Sequence, residues 1–138
     1  MPGTMHVDLE QVGPTTSKAT GGAHSVYVDR PLEKGGADQG LRGGEYLLVA
    51  LGGCFSSHLL AAIAARQAAV TDVRVGVSGT LDGSPERFTA LTMSVHATCD
   101  DDELLQKLVT IAERACQVVN TLRQSTPIEV VVTAAPGR

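Results

Sequence analysis

The sequence contains very few aromatic residues: no tryptophan, two tyrosines and two phenylalanines, or 3% of 138 residues. A hydrophobic core must therefore be built from aliphatic side chains, and the hydrophobic content of 43% is high enough to supply one. A chain of this size buries about two-thirds of its surface on folding, so it needs no disulfide or metal to fold. We expect a single domain over residues 1–138.

Positive charge is also scarce, because 11 lysines and arginines face 15 aspartates and glutamates, and the net charge is −4. This balance excludes a typical nucleic-acid-binding protein, which would carry a basic face. The three cysteines form no CxxC pair, and an odd number does not suit a secreted disulfide scaffold. The first 20 residues lack the apolar stretch of a signal peptide, so we expect a cytoplasmic protein.

One segment, residues 46–65, is uncharged and as long as a bilayer span. It contains Gly52, Gly53 and the polar run 56–58 in its middle, and no second span follows. We therefore expect burial within protein and no membrane partner. A monomer this small can hardly cover such a helix, which favours a homodimer that sandwiches the two long helices.

The first half of the chain predicts two strands, a long loop and a long helix. Residues 5–12 and 23–29 have strand character, with a turn at Gly21-Gly22 between them. Residues 30–44 are rich in glycine and predict a loop of a length that is often functional. Residues 45–67 are rich in leucine and alanine and predict the long helix.

The second half predicts a strand pair, a helix and a closing strand. Apolar and polar residues alternate over 73–78 and 91–99, and Asp82-Gly83 between them suits a hairpin turn. Acidic residues at 100–103 predict the start of a second helix, and Pro127 precedes a last strand. This grouping of elements predicts an α+β domain with antiparallel sheets around a long central helix.

Two cysteines and a histidine are the candidates for chemistry. Cys54 is flanked by small residues on the long helix, and His58 lies four residues on, on the same face. Cys116 lies late in the second helical region, while Cys99 shares the apolar face of its strand. Each thiol could equally be a core residue, since cysteine is among the most buried residue types, and His58 could be a hydrogen-bonded core histidine.

Other chemistries have little support in the sequence. Zinc accepts thiolate and imidazole ligands, but Cys54, His58 and Cys116 have no recognised spacing and lack a fourth ligand. The glycine pairs lack the Walker lysine and the dinucleotide-binding pattern, and no serine nucleophile elbow is present. We expect no metal and no cofactor, and keep a metal-dependent hydrolase as a minor alternative.

Four segments carry a recognisable pattern: the stretch 26–36, the glycine-rich loop followed by Leu47–Phe55 (LLVALGGCF), the second-cysteine segment Cys116–Leu122 (CQVVNTL), and the closing strand from Pro127. Together they resemble the OsmC/Ohr family of osmotically induced and organic hydroperoxide resistance proteins. The resemblance implies an OsmC-like fold, an intertwined homodimer and active sites at the dimer interface. It also implies a thiol peroxidase of oxidative-stress defence, in which Cys54 attacks an organic hydroperoxide, Cys116 resolves the sulfenic acid as a disulfide, and a dithiol restores both.

The sequence departs from the peroxidase members of that family near the first cysteine. Those members pair an arginine from an early strand with a glutamate ten residues before the cysteine, and Gly44 occupies that glutamate position. Glu45 is nine residues away, which turns it about 180° around a helix. Four residues could support Cys54: Glu45, Arg42, Lys18 and His58.

Two further departures follow the second cysteine, where Gln117 replaces the usual proline and Val119 the usual serine. We therefore keep a second hypothesis of a different class. In it the same dimer is not an enzyme: its thiols are idle and its interface pocket binds a small apolar ligand. Arg42 and Glu45 facing the pocket would favour the enzyme, and their facing solvent would favour the binding protein.

Overall fold

The protein has an α+β fold with two three-stranded sheets and three α-helices over residues 2–137, the part of the chain that this computed structural model describes. The predicted fold class is thus confirmed. The chain divides into two compact units, the first ending at Leu47 and the second beginning at Leu48. The expectation of a single domain stays a prediction.

The first unit is built on an antiparallel sheet of β1 (Asp8–Gln11), β2 (Ser17–Gly21) and β3 (His24–Val28). Both predicted strands are present, and Gly22 makes the turn between β2 and β3 at φ +60°. The middle strand β2 was not predicted. Its sequence lacks alternating apolar residues, and its extended form depends on pairing with a neighbour on each side.

Asp29, directly after β3, organises the first unit, and it is only 4% exposed. Its carboxylate accepts hydrogen bonds from the hydroxyls of Thr15 (2.8 Å) and Thr16 (2.7 Å). It also accepts from the backbone N–H groups of Arg30, residue 37 and Gln39. These bonds, the Thr16 hydroxyl foremost, hold the pKa of Asp29 far below its usual value, so the group is ionised at neutral pH. One buried carboxylate thereby ties the start of the predicted loop, at Arg30, to its middle, at Gln39.

Helix α1 (Gly43–Ala65) begins two residues before its predicted start. The Glu45 carboxylate accepts the backbone N–H of Arg42 at 3.0 Å, which is the arrangement of a capping box. Its Oε1 also lies 3.3 Å from the Arg42 Nε. The first turn of α1 is therefore fixed by an ion pair and a cap.

The second unit contains a sheet in the order β4 (Thr71–Asp82), β5 (Arg87–Thr98) and β6 (Ile128–Ala135). β4 and β5 form the predicted antiparallel hairpin, but β6 runs parallel to β5. The expectation of antiparallel sheets is therefore wrong for this one pairing. The chain returns to the same end of the sheet through helices, and a helical crossover joins parallel strands.

Helices α2 (Asp102–Ala115) and α3 (Gln117–Leu122) form that crossover. The Asp101 side chain caps α2 by accepting the N–H of Leu104. Cys116 has extended backbone angles (φ −74°, ψ 113°) and separates the two helices. The sequence predicted a helical region around Cys116 but not this break.

An apolar core fills the second unit between α1, the sheet and the crossover helices. Gly52 lets α1 approach the sheet, because a Cβ there would lie 2.7 Å from a methyl group of Val77. The largest fully buried side chains of this core are Phe55, Leu51, Leu59, Leu91, Met93, Leu105, Leu108, Val95, Val109, Val119 and Cys116.

One face of α1 remains uncovered within the single chain. By length and composition α1 is the one helix of residues 2–137 that could cross a membrane, and only 28% of its most apolar window is buried. Val49 is 52% exposed and Leu60 is 53% exposed. The expected burial of this helix is thus incomplete in one copy, and the homodimer stays a prediction.

Candidate active site with two cysteines

Cys54 lies in the middle of α1 and is half-buried. Its thiol donates a hydrogen bond to Oε1 of Gln117, with 3.3 Å between sulfur and oxygen. The small neighbours noted in the sequence explain the access, since Gly53 is exposed and carries no side chain to shield the sulfur. Cys54 is therefore a free thiol, reachable from solvent and oriented by one polar partner.

His58 lies one helical turn beyond Cys54, and its Nε2 is 3.1 Å from the same Gln117 oxygen. Gln117 is the first residue of α3, so the break at Cys116 directs its side chain toward α1. The two α1 side chains thus share one amide. Sequence reasoning identified Gln117 only as a departure from a family pattern, and its neutral side chain gave no other signal.

Cys116 is fully buried and lies beside Cys54. Burial, the largest cause, raises the pKa of the Cys116 thiol, and the neighbouring Cys54 thiol raises it further. The backbone N–H groups of Val119 and Val118 act in the opposite direction and do not outweigh burial. Cys116 is accordingly a protonated thiol at neutral pH.

Cys99 belongs to a different part of the second unit. It follows β5, is 4% exposed, and its thiol donates to the backbone carbonyl of Asp101 at 3.2 Å. These contacts agree with the packing role expected from its place on the apolar face of the strand. Cys99 therefore serves as an internal control in experiments on the other two thiols.

The remaining predicted supporting residues lie in the first unit. Arg42 and Glu45 contact each other, and their side chains are 54% and 43% exposed. The backbone N–H of Arg42, and then its side chain, lower the pKa of Glu45. Lys18 lies in β2, opposite Glu10 and Tyr27. Of the predicted site residues, the structure brings together Cys54, His58 and Cys116.

No group of three or more histidine, cysteine, aspartate or glutamate side chains in residues 2–137 is arranged to hold a metal ion. Cys54, His58 and Cys116 therefore do not make the zinc site that the sequence left open. Cys54 and His58 instead share the Gln117 amide oxygen, which is 3.3 Å from the sulfur and 3.1 Å from Nε2.

Comparisons with known proteins agree with this architecture. The family model described as OsmC, OsmC-like protein, matches residues 35–131. A hypothetical protein from Aquifex aeolicus VF5 superimposes with a TM-score of 0.85 at 16% identity, covering 99% of this chain and 100% of that one. The organic hydroperoxide resistance protein OsmC from Legionella pneumophila has a TM-score of 0.69 at 19% identity, covering 94% of this chain and 96% of that one. OhrB, an organic hydroperoxide resistance protein of Bacillus subtilis, has a TM-score of 0.68 at 18% identity, covering 94% of this chain and 98% of that one. The comparison with curated proteins gave no match.

Proposed function

Because the chain belongs to the OsmC-like family, we propose that it is a thiol-dependent peroxidase that reduces organic hydroperoxides in oxidative-stress defence. Two solved relatives are named as organic hydroperoxide resistance proteins, which supports a role in peroxide resistance or redox chemistry. The single observation that carries the proposal is the pair of adjacent free thiols, one half-buried and one fully buried.

The exposure of the two thiols assigns their roles in this proposal. Cys54 is accessible and attacks first: its thiolate takes the terminal oxygen of the hydroperoxide, the O–O bond breaks, and the alkoxide leaves as an alcohol after taking up a proton. The sulfur is oxidised to a sulfenic acid while the peroxide is reduced. Cys116 is shielded from substrate by burial and acts second.

The second step forms a disulfide. The Cys116 sulfur attacks the Cys54 sulfur, and the sulfenic hydroxyl leaves as water with the proton of the Cys116 thiol. An external dithiol then reduces the disulfide by thiol–disulfide exchange and returns both thiols. A cytoplasmic protein would meet such a dithiol, since thiols are kept reduced there.

Gln117 and His58 position the attacking sulfur in this scheme. The Gln117 oxygen accepts from the Cys54 thiol, which fixes the sulfur before reaction. An amide also carries an NH₂ group, so rotation about its last torsion presents a donor to the thiolate that follows. His58, at 3.1 Å from the same oxygen, holds the amide in place and can supply positive charge when protonated.

We also propose that the working form is a homodimer. Members of this family are generally homodimers, and the uncovered face of α1 supports the same assembly here. The exposed residues that form this face are Val49, Gly53, Ser57, Leu60, Ala61 and Ala64. Small and apolar side chains of this kind allow two helices to pack closely.

The test is the product of one turnover. We expect one equivalent of cumene hydroperoxide to link Cys54 to Cys116 while Cys99 remains open to alkylation after unfolding. Peptide mapping by mass spectrometry identifies the bridge. Cys54→Ser should consume no hydroperoxide, Cys116→Ser should stop at the sulfenic acid, and Cys99→Ser should behave as the wild type. A bridge from Cys54 to Cys99, or none, would contradict the assigned pair.

One observation favours the second hypothesis, an OsmC-like dimer that binds a small apolar ligand. The Arg42 and Glu45 side chains are 54% and 43% exposed to solvent, and exposure of these two residues is what the binding hypothesis expects. The same experiment separates the two functions. Hydroperoxide consumption by the wild type no faster than by Cys54→Ser would favour binding over catalysis.

A further inference from the structure

A cavity lies in the first unit, within residues 15–43. Its volume is about 430 Å³, within the range of small-molecule sites. Residues of β2, the end of β3 and the loop up to the start of α1 form its walls, and it is open to solvent. Its lining residues are Thr15, Ser17, Val28, Asp29, Arg30, Pro31, Lys34, Arg42 and Gly43.

The lining of this cavity is cationic in a chain that is acidic overall. Arg30, Lys34 and Arg42 contribute three positive charges against the single negative charge of Asp29, while the whole chain has a net charge of −4. Three like charges around one small cavity repel one another. Such an arrangement is relieved when an anion enters.

The one acid in the cavity does not neutralise these cations. The Asp29 oxygens are occupied by two threonine hydroxyls and three backbone N–H groups. Among the salt bridges of residues 2–137, none involves Arg30 or Lys34, and Arg42 pairs only through its Nε with Glu45. The cavity therefore keeps guanidinium and ammonium donors available to a ligand.

The walls of the cavity are held by close backbone contacts. A Cβ at Gly36 would lie 2.0 Å from the carbonyl oxygen of Arg30, and one at Gly40 would lie 2.0 Å from that of Tyr27. The loop thus packs against its own start and against β3 without side chains between. Cations on a fixed loop lose little conformational freedom when a ligand binds.

We propose that this cavity binds a small organic oxyanion, a carboxylate or a phosphate ester, between Arg30, Lys34 and Arg42. The guanidinium groups offer planar pairs of donors that match such oxygens, and the ammonium adds a point charge. Val28 and Pro31 receive the short apolar part of the ligand. The proposal rests on the first unit alone and does not depend on the proposed peroxidase activity.

Titration of the isotope-labelled full chain, followed by amide NMR, tests the proposal with three probes: inorganic phosphate, butyrate and 1-butanol. Both oxyanions should shift the resonances of residues 28–43, and added salt should weaken their binding. Butyrate bound more tightly than phosphate identifies a carboxylate ligand, and the reverse order identifies a phosphate. The neutral alcohol should shift none of these resonances at the same concentrations.

Matched charge variants localise the effect. Lys34→Gln and Arg30→Gln should each weaken oxyanion binding by about fivefold or more, as expected for loss of one charge-assisted contact. Lys107→Gln makes the same change of charge at an exposed position of α2 and should leave oxyanion binding unchanged. The absence of shifts with both oxyanions would overturn the proposal. So would an equal response to 1-butanol, or an equal loss in Lys107→Gln.

Discussion

The two compact units are stabilised by opposite kinds of interior. In the second unit, aliphatic side chains, Phe55 and two of the three thiols are excluded from water. The buried residues of the first unit, among those that the structure describes, are polar: Thr16 is 7% exposed and Asp29 is 4% exposed. The second unit is therefore stabilised by apolar packing, and the first by hydrogen bonds to one buried carboxylate.

This difference explains why the apolar side chains of the first unit lie on its surface. Leu9 is 59% exposed, Val26 is 45% exposed and Tyr27 is 46% exposed. Among the described residues of the first unit no apolar side chain is buried, and exposed apolar surface of this kind is typical of protein interfaces. The intertwined homodimer that we propose would supply that cover.

Removal of core volume should have the largest effect. Phe55→Ala leaves a cavity at a fully buried position, and we expect the free energy of unfolding to fall by about 4 kcal/mol. Urea denaturation followed by circular dichroism measures the change. Leu81→Ala, at a position of β4 that is 53% exposed, should cost well under half as much. Equal losses would contradict the placement of Phe55 in the core.

A charge on that exposed face should prevent dimer formation. Leu60→Glu places two carboxylates in the apolar contact proposed between the α1 helices, and we expect the dimer to weaken by at least about 100-fold. Sedimentation velocity over a dilution series gives the change. Glu103→Gln, an exposed change on α2, should leave assembly as it is. A soluble wild-type monomer at micromolar concentration would contradict the dimer itself.

Loss of the buried charge should destabilise the first unit by a smaller amount. Asp29→Asn turns one acceptor oxygen into a donor that faces other donors, and we expect the free energy of unfolding at neutral pH to fall by less than in Phe55→Ala. Because the pKa of Asp29 is lowered in the folded chain, its contribution is present above the usual carboxyl pKa and is lost as pH falls below it. The difference in free energy of unfolding between wild type and Asp29→Asn should become smaller as the pH falls from about 5 to 2. Glu33→Gln, an exposed neighbour, is the control.

Peroxide consumption should be slow at neutral pH and should rise with pH. A thiol reacts as its thiolate, and this chain lacks the arginine and glutamate pair of the peroxidase relatives. We expect about tenfold or more between pH 6 and pH 9 in stopped-flow measurements, and lower rates than relatives with both residues. A fast reaction whose rate no longer depends on pH near pH 6 would show that another cation stabilises the Cys54 thiolate in place of the arginine.

The smallest expected effect concerns Gln117. Gln117→Leu removes both hydrogen-bonding groups near Cys54, and we expect the first step to slow by about threefold to tenfold through lost positioning. Gln117→Glu adds a negative charge beside the sulfur, disfavours the thiolate and should move the pH profile to higher pH. Asn120→Asp, on the exposed side of α3, is the matched control. Identical pH–rate profiles for all three variants would show that Gln117 does not influence the reaction of Cys54.

Parts of this structure follow from the sequence because they rest on local patterns. The alternation of Val73, Val75 and Val77 predicted β4, and the leucine- and alanine-rich run predicted α1 to within two residues at each end. Cys54 and Cys116 were identified through the family resemblance and not through spacing. Their roles in catalysis stay predictions.

The elements that the sequence did not predict are those that tertiary contacts impose. β2 has few apolar residues and exists through pairing on both sides. No glycine or proline marks the break at Cys116, which follows from packing that thiol into the core. The parallel direction of β6 depends on the path of the crossover, and the role of Gln117 depends on that break.

The parallel pairing of β5 and β6 has a consequence for the order in which the protein folds. Leu91 pairs with Ile128 and Thr98 with Ala135, so these contacts join residues distant in the sequence and form late. Cys54 and Cys116 are both synthesised before β6. The core that buries Cys116 is complete only when β6 has docked beside β5, so a partly folded chain exposes that thiol to oxidation.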